Sequence, residues 1–381
     1  MWNNTDRSRN LNTTGIEFSR CIRPLLALWM FLALGGLAAC SRPAPSVAPT
    51  PTSPPLAEEL VIGDWENDLP QSLLDRFTAE YGVKVRTDLY ESQEQAVENM
   101  RAGPRYDVVV MESRLVAPLI QSGLLAKLDH RSLPNLKNLS ADFRDLAYDP
   151  GNNHSIPFSW GTTGLVVRSD LVEAPVTRWA DLWDPRYAGK TALWFGQPRE
   201  VIGLTLKSLG YSANSEKREE LEAALARLLE LRPTVVEIED PDVHWPKVLA
   251  DGQVVVAMGY ANDMIAGRAL NPAVKYVLPA EGPLLWNDTF VVPADSSHQA
   301  TAELFLDFML RPEISAEFVN KASFATPNDA ALPLVLPEIT NDTAIFPTRD
   351  SLVKAEPILP LSPAGEKLYA DIWQRFMAGR P

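Results

Sequence analysis

The sequence predicts an α/β protein of two domains, each built on a mainly parallel β-sheet with helices on both faces. Strand-like and helix-like segments alternate from residue 60, and the alternation resumes after residue 190. Such alternation is typical of βαβ units, which place their strands in parallel and cover both faces of the sheet. A chain of 381 residues is long enough for two such domains with sizeable cores.

The first part of the pattern alternates strictly between strands and helices. The apolar residues of its first helix recur on one face, and Gly82 follows as a C-terminal stop. Ser92 and Gln95 have the spacing of a capping box at the start of its second helix. The predicted strands are 60–65, 83–90 and 106–111, and the predicted helices are 70–82 and 92–103.

The second part continues the pattern with longer helices. Pro198 stands in the first turn of one predicted helix and Gly210 stands just past its end. The predicted strands are 191–195, 234–238, 253–259, 274–278 and 282–290, and the predicted helices are 198–210, 215–232, 300–310 and 314–319.

Several polar and aromatic residues follow the predicted strands, at the edge where ligand sites lie in α/β folds. Trp65, Glu112, Glu200 and Tyr260 each come just after a strand, and Asp263 lies one helical turn beyond Tyr260. Simpler roles are open for two of them. Asp263 has the position of a helix cap, and Glu200 that of an acid that stabilises a helix dipole.

The stretch GPLLWNDTF, residues 282–290, places an acid beside an aromatic ring. On a strand, Trp286 and Asp288 point to the same face. A carboxylate beside an indole needs a partner when it is buried. The pair is suited to a cationic ligand, although core packing is the commoner role of a tryptophan.

The N-terminus predicts export and lipid anchoring. Arg20 and Arg23 precede a short apolar run, 24–40, that is too short and wrongly flanked for a membrane span. The run ends in LAAC, which resembles a bacterial lipobox and implies cleavage before Cys40 and lipidation of its thiol. The following Pro/Ser/Thr-rich segment has the composition of a flexible tether.

Charge, cysteine and histidine content and the motifs that are absent argue against several kinds of partner and site. The net charge is −14, and −16 without the basic residues 1–39, which argues against nucleic acid and anionic membranes as partners. Two cysteines and four widely spaced histidines indicate neither a disulfide framework nor a zinc site. No nucleophile elbow or dinucleotide fingerprint occurs, so neither an enzyme nor a cofactor is predicted.

Several motifs together resemble the spermidine/putrescine-binding proteins of bacterial ABC transporters. They are DLAYDPGNNHSIPFSWGTTGLVV (145–167), WADLWDPRYAGK (179–190), PREVIGLTLKSLGYSANS (198–215), LRPEISAEF (310–318) and FATPNDAA (324–331). The resemblance runs from about Leu60 to the C-terminus. It implies a two-lobed type II periplasmic-binding-protein fold, whose lobes are mixed, mainly parallel sheets flanked by helices and joined by crossover hinge strands.

The resemblance also implies a division of the chain. A signal peptide at 1–39 and a tether at 40–57 would precede the lobes. Lobe one would comprise 58–161 and 287–332, and lobe two 162–286 and 333–381.

In this family an extended polyamine lies between the lobes, held by carboxylates and aromatic walls. The resemblance implies that Trp286 is one of the aromatic walls and that Asp288 is one of the carboxylates. The ligand-binding residues that the resemblance and the strand ends predict together are Trp65, Asp68, Glu112, Arg114, Glu200, Tyr260, Asp263, Trp286, Asp288 and Phe324.

This sequence departs from the family at Asp68, Glu112, Arg114, Gln197 and Leu359. An arginine in a cation-binding cleft is unfavourable unless an acid such as Glu112 or Asp68 neutralises it. Arg114 has two open interpretations: it points outward at the rim, or it clamps the carboxylate of a zwitterionic, amino-acid-like ligand.

The predicted function is therefore that of a monomeric, lipid-anchored solute-binding protein. In the periplasm or at the cell surface, it would deliver putrescine or spermidine to an ABC transporter permease. The alternatives are another cationic or zwitterionic amine as ligand, or a sensor subunit that signals instead of transporting.

Overall fold

The computed structural model describes residues 55–66, 68–237 and 245–381, which fall in one compact unit. The predicted signal peptide and the lipidation site Cys40 lie outside the described residues, as does the tether up to residue 54. Within the described ranges, no helix combines the length and the apolar character that crossing a membrane requires.

Ten strands are found in these ranges. They are β1 Glu59–Asp64, β2 Lys84–Leu89, β3 Val108–Glu112, β4 Ser155–Arg168, β5 Thr191–Leu193, β6 Val235–Glu237, β7 Val256–Gly259, β8 Val274–Val277, β9 Leu284–Val291 and β10 Glu356–Pro357.

The same ranges contain eleven α-helices. They are α1 Gln71–Tyr81, α2 Gln93–Ala102, α3 Ser113–Gln121, α4 Pro198–Ser208, α5 Arg218–Leu231, α6 Trp245–Ala250, α7 Ala261–Leu270, α8 Gln299–Met309, α9 Pro312–Ala322, α10 Pro337–Thr340 and α11 Pro363–Met377.

Every strand and helix predicted from the pattern is present, with ends shifted by a few residues. Gly82 ends α1 in the left-handed conformation, with φ = 70°. The capping box of α2 forms only in part: the Ser92 hydroxyl accepts from the Gln95 N–H at 3.1 Å. The Gln95 side chain accepts from Glu91 N–H and not from that of Ser92.

The strands form one mixed sheet in the order β2-β1-β3-β9-β4-β7-β5-β6, with β8 paired to β4 and β10 to β9. β1, β2 and β3 are parallel, and so are β5, β6 and β7. These two parallel groups are linked by the antiparallel pair β4 and β9. The sheet therefore has two parallel halves that meet at two long strands.

The core is divided in the same way. One apolar cluster packs β1, β3 and the start of β4 against α1, α8 and α9, and includes Phe77, Phe290 and Phe305. A second packs the end of β4 and β5 against α4, α5 and α11, and includes Trp179 and Phe376. β4 and β9 contribute to both clusters, so they connect two lobes that are packed separately.

Candidate functional site

A cleft of about 270 Å³ lies at the carboxyl ends of the parallel strands, where the two halves of the sheet meet. Its walls contain six acids and five aromatic residues, and none of the described residues that line it is basic. They are Trp65, Glu66, Asp68, Glu112, Trp194, Gln197, Glu200, Tyr260, Asn262, Asp263, Trp286, Asp288 and Phe324.

Nine of the ten residues predicted to bind ligand line this cleft; Arg114 does not. Sequence reasoning missed Glu66, Trp194 and Asn262. A signal existed for two of these, since Trp194 is the last residue but one of the predicted strand 191–195 and Asn262 lies between two predicted site residues. Glu66 is exposed, and no pattern singled it out.

Asp64, at the end of β1, stabilises the loop that contains the cleft residues Trp65 and Asp68. It is buried, and its two oxygens accept from the backbone N–H groups of Trp65 at 2.9 Å and Leu69 at 3.3 Å. The bond to Leu69 closes the loop around Asp68. The ring of Trp65 also packs edge-on against Tyr90, with centroids 4.8 Å apart.

Glu112 and Asp288 face each other across the antiparallel strands β3 and β9, in which they are register partners. Two ionised carboxylates directly opposite each other would repel, and the charge of Glu112 contributes to the raised pKa of Asp288. The Ser159 hydroxyl, from β4, donates to Asp288 at 3.4 Å. A bound cation would stabilise both carboxylates in their ionised form.

Two acids enter from the first turns of helices in the second half of the sheet. Glu200, in α4, is buried and accepts from the Thr163 hydroxyl at 2.6 Å. Asp263, in α7, accepts from the Tyr260 N–H at 3.0 Å. Asp263 therefore caps its helix and lines the cleft at the same time, so the two roles left open by the sequence coexist.

The pKa values of the cleft acids reflect their enclosure. Burial raises the pKa of Asp68, Glu200 and Asp263 to about 7 in each case. For Asp288, burial and then the nearby charges of Asp68 and Glu112 raise the pKa well above its usual range. These carboxyl groups are costly to ionise in the empty protein, and a bound cation would stabilise their ionised form.

Trp286 is the central aromatic wall. Its ring meets those of Tyr260 and Phe324 edge-on, with centroids 6.0 and 5.5 Å away. Its register partner on β4 is Gly161, where an added Cβ would lie 2.3 Å from the indole. Only glycine lets the indole lie flat against this strand.

Two buried acceptor atoms in the cleft lack a hydrogen-bond donor among the described residues. They are one carboxylate oxygen of Asp68 and the amide oxygen of Asn262, and the indole N–H groups of Trp194 and Trp286 in the same lining also lack a partner. Buried polar atoms are normally paired, so these atoms favour a ligand that supplies the missing partners. An ammonium group offers three N–H donors and a positive charge to match.

Arg114 lies just outside this cleft. Its Nε donates to Glu112 at 2.5 Å, its terminal nitrogen lies 3.4 Å from Glu94, and its side chain is 11% exposed. It lines a neighbouring cavity of about 710 Å³, to which Trp286 also contributes. The predicted neutralisation of Arg114 by Glu112 is present, whereas neither rim exposure nor a free anion clamp matches this geometry.

No group of His, Cys, Asp or Glu with the geometry of a metal site occurs among the residues that the structure covers.

The chain matches the family of bacterial extracellular solute-binding proteins over residues 72–348. The spermidine/putrescine-binding periplasmic protein of Escherichia coli is 32% identical over 324 residues, which are 84% of this chain and 92% of that protein.

Among solved structures, the substrate-binding protein PotD of a spermidine/putrescine ABC transporter of Streptococcus pneumoniae has a TM-score of 0.73 and 29% identity. The match covers 85% of this chain and all of that one. The TpPotD lipoprotein of Treponema pallidum has a TM-score of 0.74 and 25% identity, over 84% of this chain and 99% of that one. The two-lobed fold predicted from the resemblance is therefore confirmed, and this chain belongs to the bacterial extracellular solute-binding protein family.

Proposed function

We propose that the protein captures a polyamine in the acidic cleft and delivers it to the permease of an ABC transporter. The observation that carries this proposal is the lining of the cleft: six acids, five aromatic residues and no basic residue among those described. The names of the relatives from Escherichia coli and Streptococcus pneumoniae support the same ligand class and the same transport system.

The chemistry of the cleft fits an alkyl chain that carries separated ammonium groups. Each charged hydrogen bond from an ammonium group to a carboxylate contributes roughly 1.5–3 kcal/mol. An aromatic face adds about 0.5–2 kcal/mol by cation–π attraction, depending on how well the pair is desolvated. The flat faces of Trp65 and Trp286 are suited to the methylene groups between the charges.

The ten predicted ligand-binding residues are proposed as the site, with Arg114 acting through Glu112 and not by contact. Asp68 follows β1 and Glu112 ends β3, in the half of the sheet that contains β1, β2 and β3, and Asp288 on β9 is the register partner of Glu112. Glu200 and Asp263 belong to the other half. A ligand that bonds to both sets favours closure of the lobes about β4 and β9. This is binding without turnover, and no catalytic residue is proposed.

We propose the lobe boundaries that the resemblance implies, 58–161 with 287–332 and 162–286 with 333–381. The separation of the two apolar clusters supports them. Lipid anchoring at Cys40 in the periplasm or at the cell surface is likewise proposed, as is a monomeric state. The lipoprotein character of the relative from Treponema pallidum supports the anchor.

Calorimetric titration of the full chain, purified in mild detergent, with putrescine and with spermidine tests the proposal. We expect saturable binding of at least one amine and no chemical change in it. Asp288→Asn removes the charge opposite Glu112, and we expect it to weaken binding by at least about 100-fold at pH 8.

The matched control is Asp295→Asn, an exposed acid four residues past the end of β9, which should bind like the unaltered protein. If neither amine gives a binding signal, or if both variants bind equally well, the cleft is not a polyamine site.

A further inference from the structure

The end of β3 is held by side chains as well as by neighbouring strands. The paired register of β1 and β3 ends at Gly63 and Val109. β1 itself ends at Asp64, and the chain then turns into the loop that contains Trp65. β3 continues past this pairing to Glu112, which lines the cleft. The contacts that hold the last residues of β3 therefore decide where a cleft acid lies.

Tyr90, directly after β2, and Gln93, the first residue of α2, form a chain of hydrogen bonds with the end of β3. Both side chains are buried. The Tyr90 hydroxyl donates to the backbone carbonyl of Val110 at 2.5 Å and accepts from the Gln93 amide N–H at 3.2 Å. The amide oxygen of Gln93 accepts from the backbone N–H of Glu112 at 3.1 Å. Both ends of this amide are thus bonded, and one of them holds the backbone of a cleft acid.

The same chain of bonds reaches an aromatic wall of the cleft. The Tyr90 ring packs edge-on against Trp65, with centroids 4.8 Å apart, and the Tyr90 N–H donates to the backbone carbonyl of Asp64 at 3.1 Å. The contacts therefore run without a break from Trp65, through Tyr90 and Gln93, to Glu112. They fix the position of the acid relative to the indole.

Glu112 has separate supports for its backbone and its carboxylate. Gln93 bonds to the backbone N–H, whereas Arg114 donates to the carboxylate. Gln93 is not part of the cleft lining, so it acts on a ligand only through the residues that it holds. Hydrogen bonds weaken steeply when their distance and angle depart from the preferred values, so the contact between Glu112 and an ammonium group depends on where the end of β3 lies.

Resting on the function proposed above, we propose that Gln93 is a positioning residue of the ligand site, which holds Glu112 where its carboxylate meets an ammonium group of the polyamine. An apolar side chain of similar length at this position leaves the Glu112 N–H without its acceptor. An unpaired N–H in a partly buried place is costly, so the end of β3 shifts toward another partner. The carboxylate of Glu112 moves with it and loses its alignment with the ligand.

The test is a double-mutant cycle, measured by calorimetric titration of the full chain with putrescine. Gln93→Met should weaken binding about tenfold in the otherwise unaltered protein. In a Glu112→Gln background, the same substitution should weaken binding less than about twofold, because the charge that Gln93 positions is already absent. A purely structural role of Gln93 would give the same loss in both backgrounds.

A second variant and a matched control accompany the cycle. Tyr90→Phe keeps the ring against Trp65 but removes the hydroxyl that holds the Gln93 amide, and it should weaken binding about threefold, again only where Glu112 is present. Gln299→Met is the control. Gln299 is the first residue of α8, and its amide donates to the Lys127 carbonyl at 2.8 Å and to Glu303 at 2.9 Å, outside the cleft lining. It should bind putrescine like the unaltered protein.

The outcomes separate this role from the function proposed above. No binding of putrescine to the unaltered protein overturns that function, and the role of Gln93 with it. Binding that Gln93→Met leaves unchanged, or weakens equally with and without Glu112→Gln, overturns the role of Gln93 alone. So does a Glu112→Gln variant that binds normally, because Gln93 then has no acid to position. Thermal melts show which variants are folded, and if Gln93→Met is not, the cycle with Tyr90→Phe decides in the same way.

Discussion

Binding of a diamine should release protons and weaken as the pH falls. The pKa values of Asp68, Glu200 and Asp263 are raised to about 7 by burial, so each carboxyl is about half protonated at pH 7. The ligand amines have pKa values near 10 and stay charged over this range. A dication needs ionised carboxylates, so its binding must displace the protons that the empty cleft holds.

The size of the effect follows from these pKa values. A group with a pKa of 7 is about 90% ionised at pH 8 and about 9% ionised at pH 6, a tenfold change. If two of the three acids must ionise to bind the dication, affinity falls about 100-fold between pH 8 and pH 6, or about 2.7 kcal/mol. About one proton is then released for each ligand bound at pH 7.

The assay is calorimetry with putrescine in buffers of different ionisation enthalpy, repeated from pH 6 to pH 8. Asp263→Asn keeps an oxygen to cap α7 but cannot ionise, so it should lower the proton release by about half a proton at pH 7. Asp295→Asn should change nothing. A pH-independent affinity with no buffer dependence would refute the reasoning that these acids are the ligand's partners.

Two further predictions concern the empty protein and the wall of the cleft. Between about pH 4 and pH 7 the folded state holds more protons on Asp68, Glu200 and Asp263 than the unfolded state, because their pKa values are raised on folding. Their contribution to stability is therefore full below pH 4 and is lost as the pH rises through 7. The increase in melting temperature that the ligand causes should accordingly be larger at pH 8 than at pH 5.5. Thermal melts with and without putrescine check this, and an equal increase at both pH values would contradict it. Gly161→Ala should weaken binding about tenfold and cost about 1–3 kcal/mol of stability, because its Cβ displaces the indole of Trp286. Gly203→Ala in α4, where the nearest atom is 3.5 Å from the added Cβ, is the control and should bind normally in the same titration and melt.

The sequence predicted the parallel halves of the sheet well because most of their strands are short apolar runs that alternate with strongly periodic helices. It did not predict β4, whose 14 residues contain Pro157, Gly161 and Gly164. Proline and glycine are typical of strand ends and turns, so these residues argue against one long strand. In the structure, an added Cβ at either glycine would lie within 3 Å of an aromatic ring of a neighbouring strand. The requirement for glycine comes from partners that are distant in the sequence, and local periodicity does not contain that information.

The site was predicted where a strand end fixes the direction of a side chain. Trp286 and Asp288 are two residues apart on β9 and so share a face, and Tyr260 directly follows β7, so their direction follows from strand geometry. Arg114 lies in the first turn of α3, a helix that the sequence did not predict because Pro118 interrupts it. Without the position of that helix, nothing in the sequence showed that the guanidinium turns toward Glu112 and away from the acidic cleft.

The acids of the cleft connect ligand charge to lobe closure. Asp68, Glu112 and Asp288 lie on one side, with Glu200 and Asp263 on the other, and their mutual repulsion opposes closure of an empty site. Partial protonation relieves this repulsion only in part, since it leaves buried acceptors such as Asp68 Oδ2 without a donor. A ligand with one charge satisfies one side, whereas a diamine neutralises both and bridges them. Closure therefore responds to two charges at the correct separation, and this makes the cleft selective among the many cations in its surroundings.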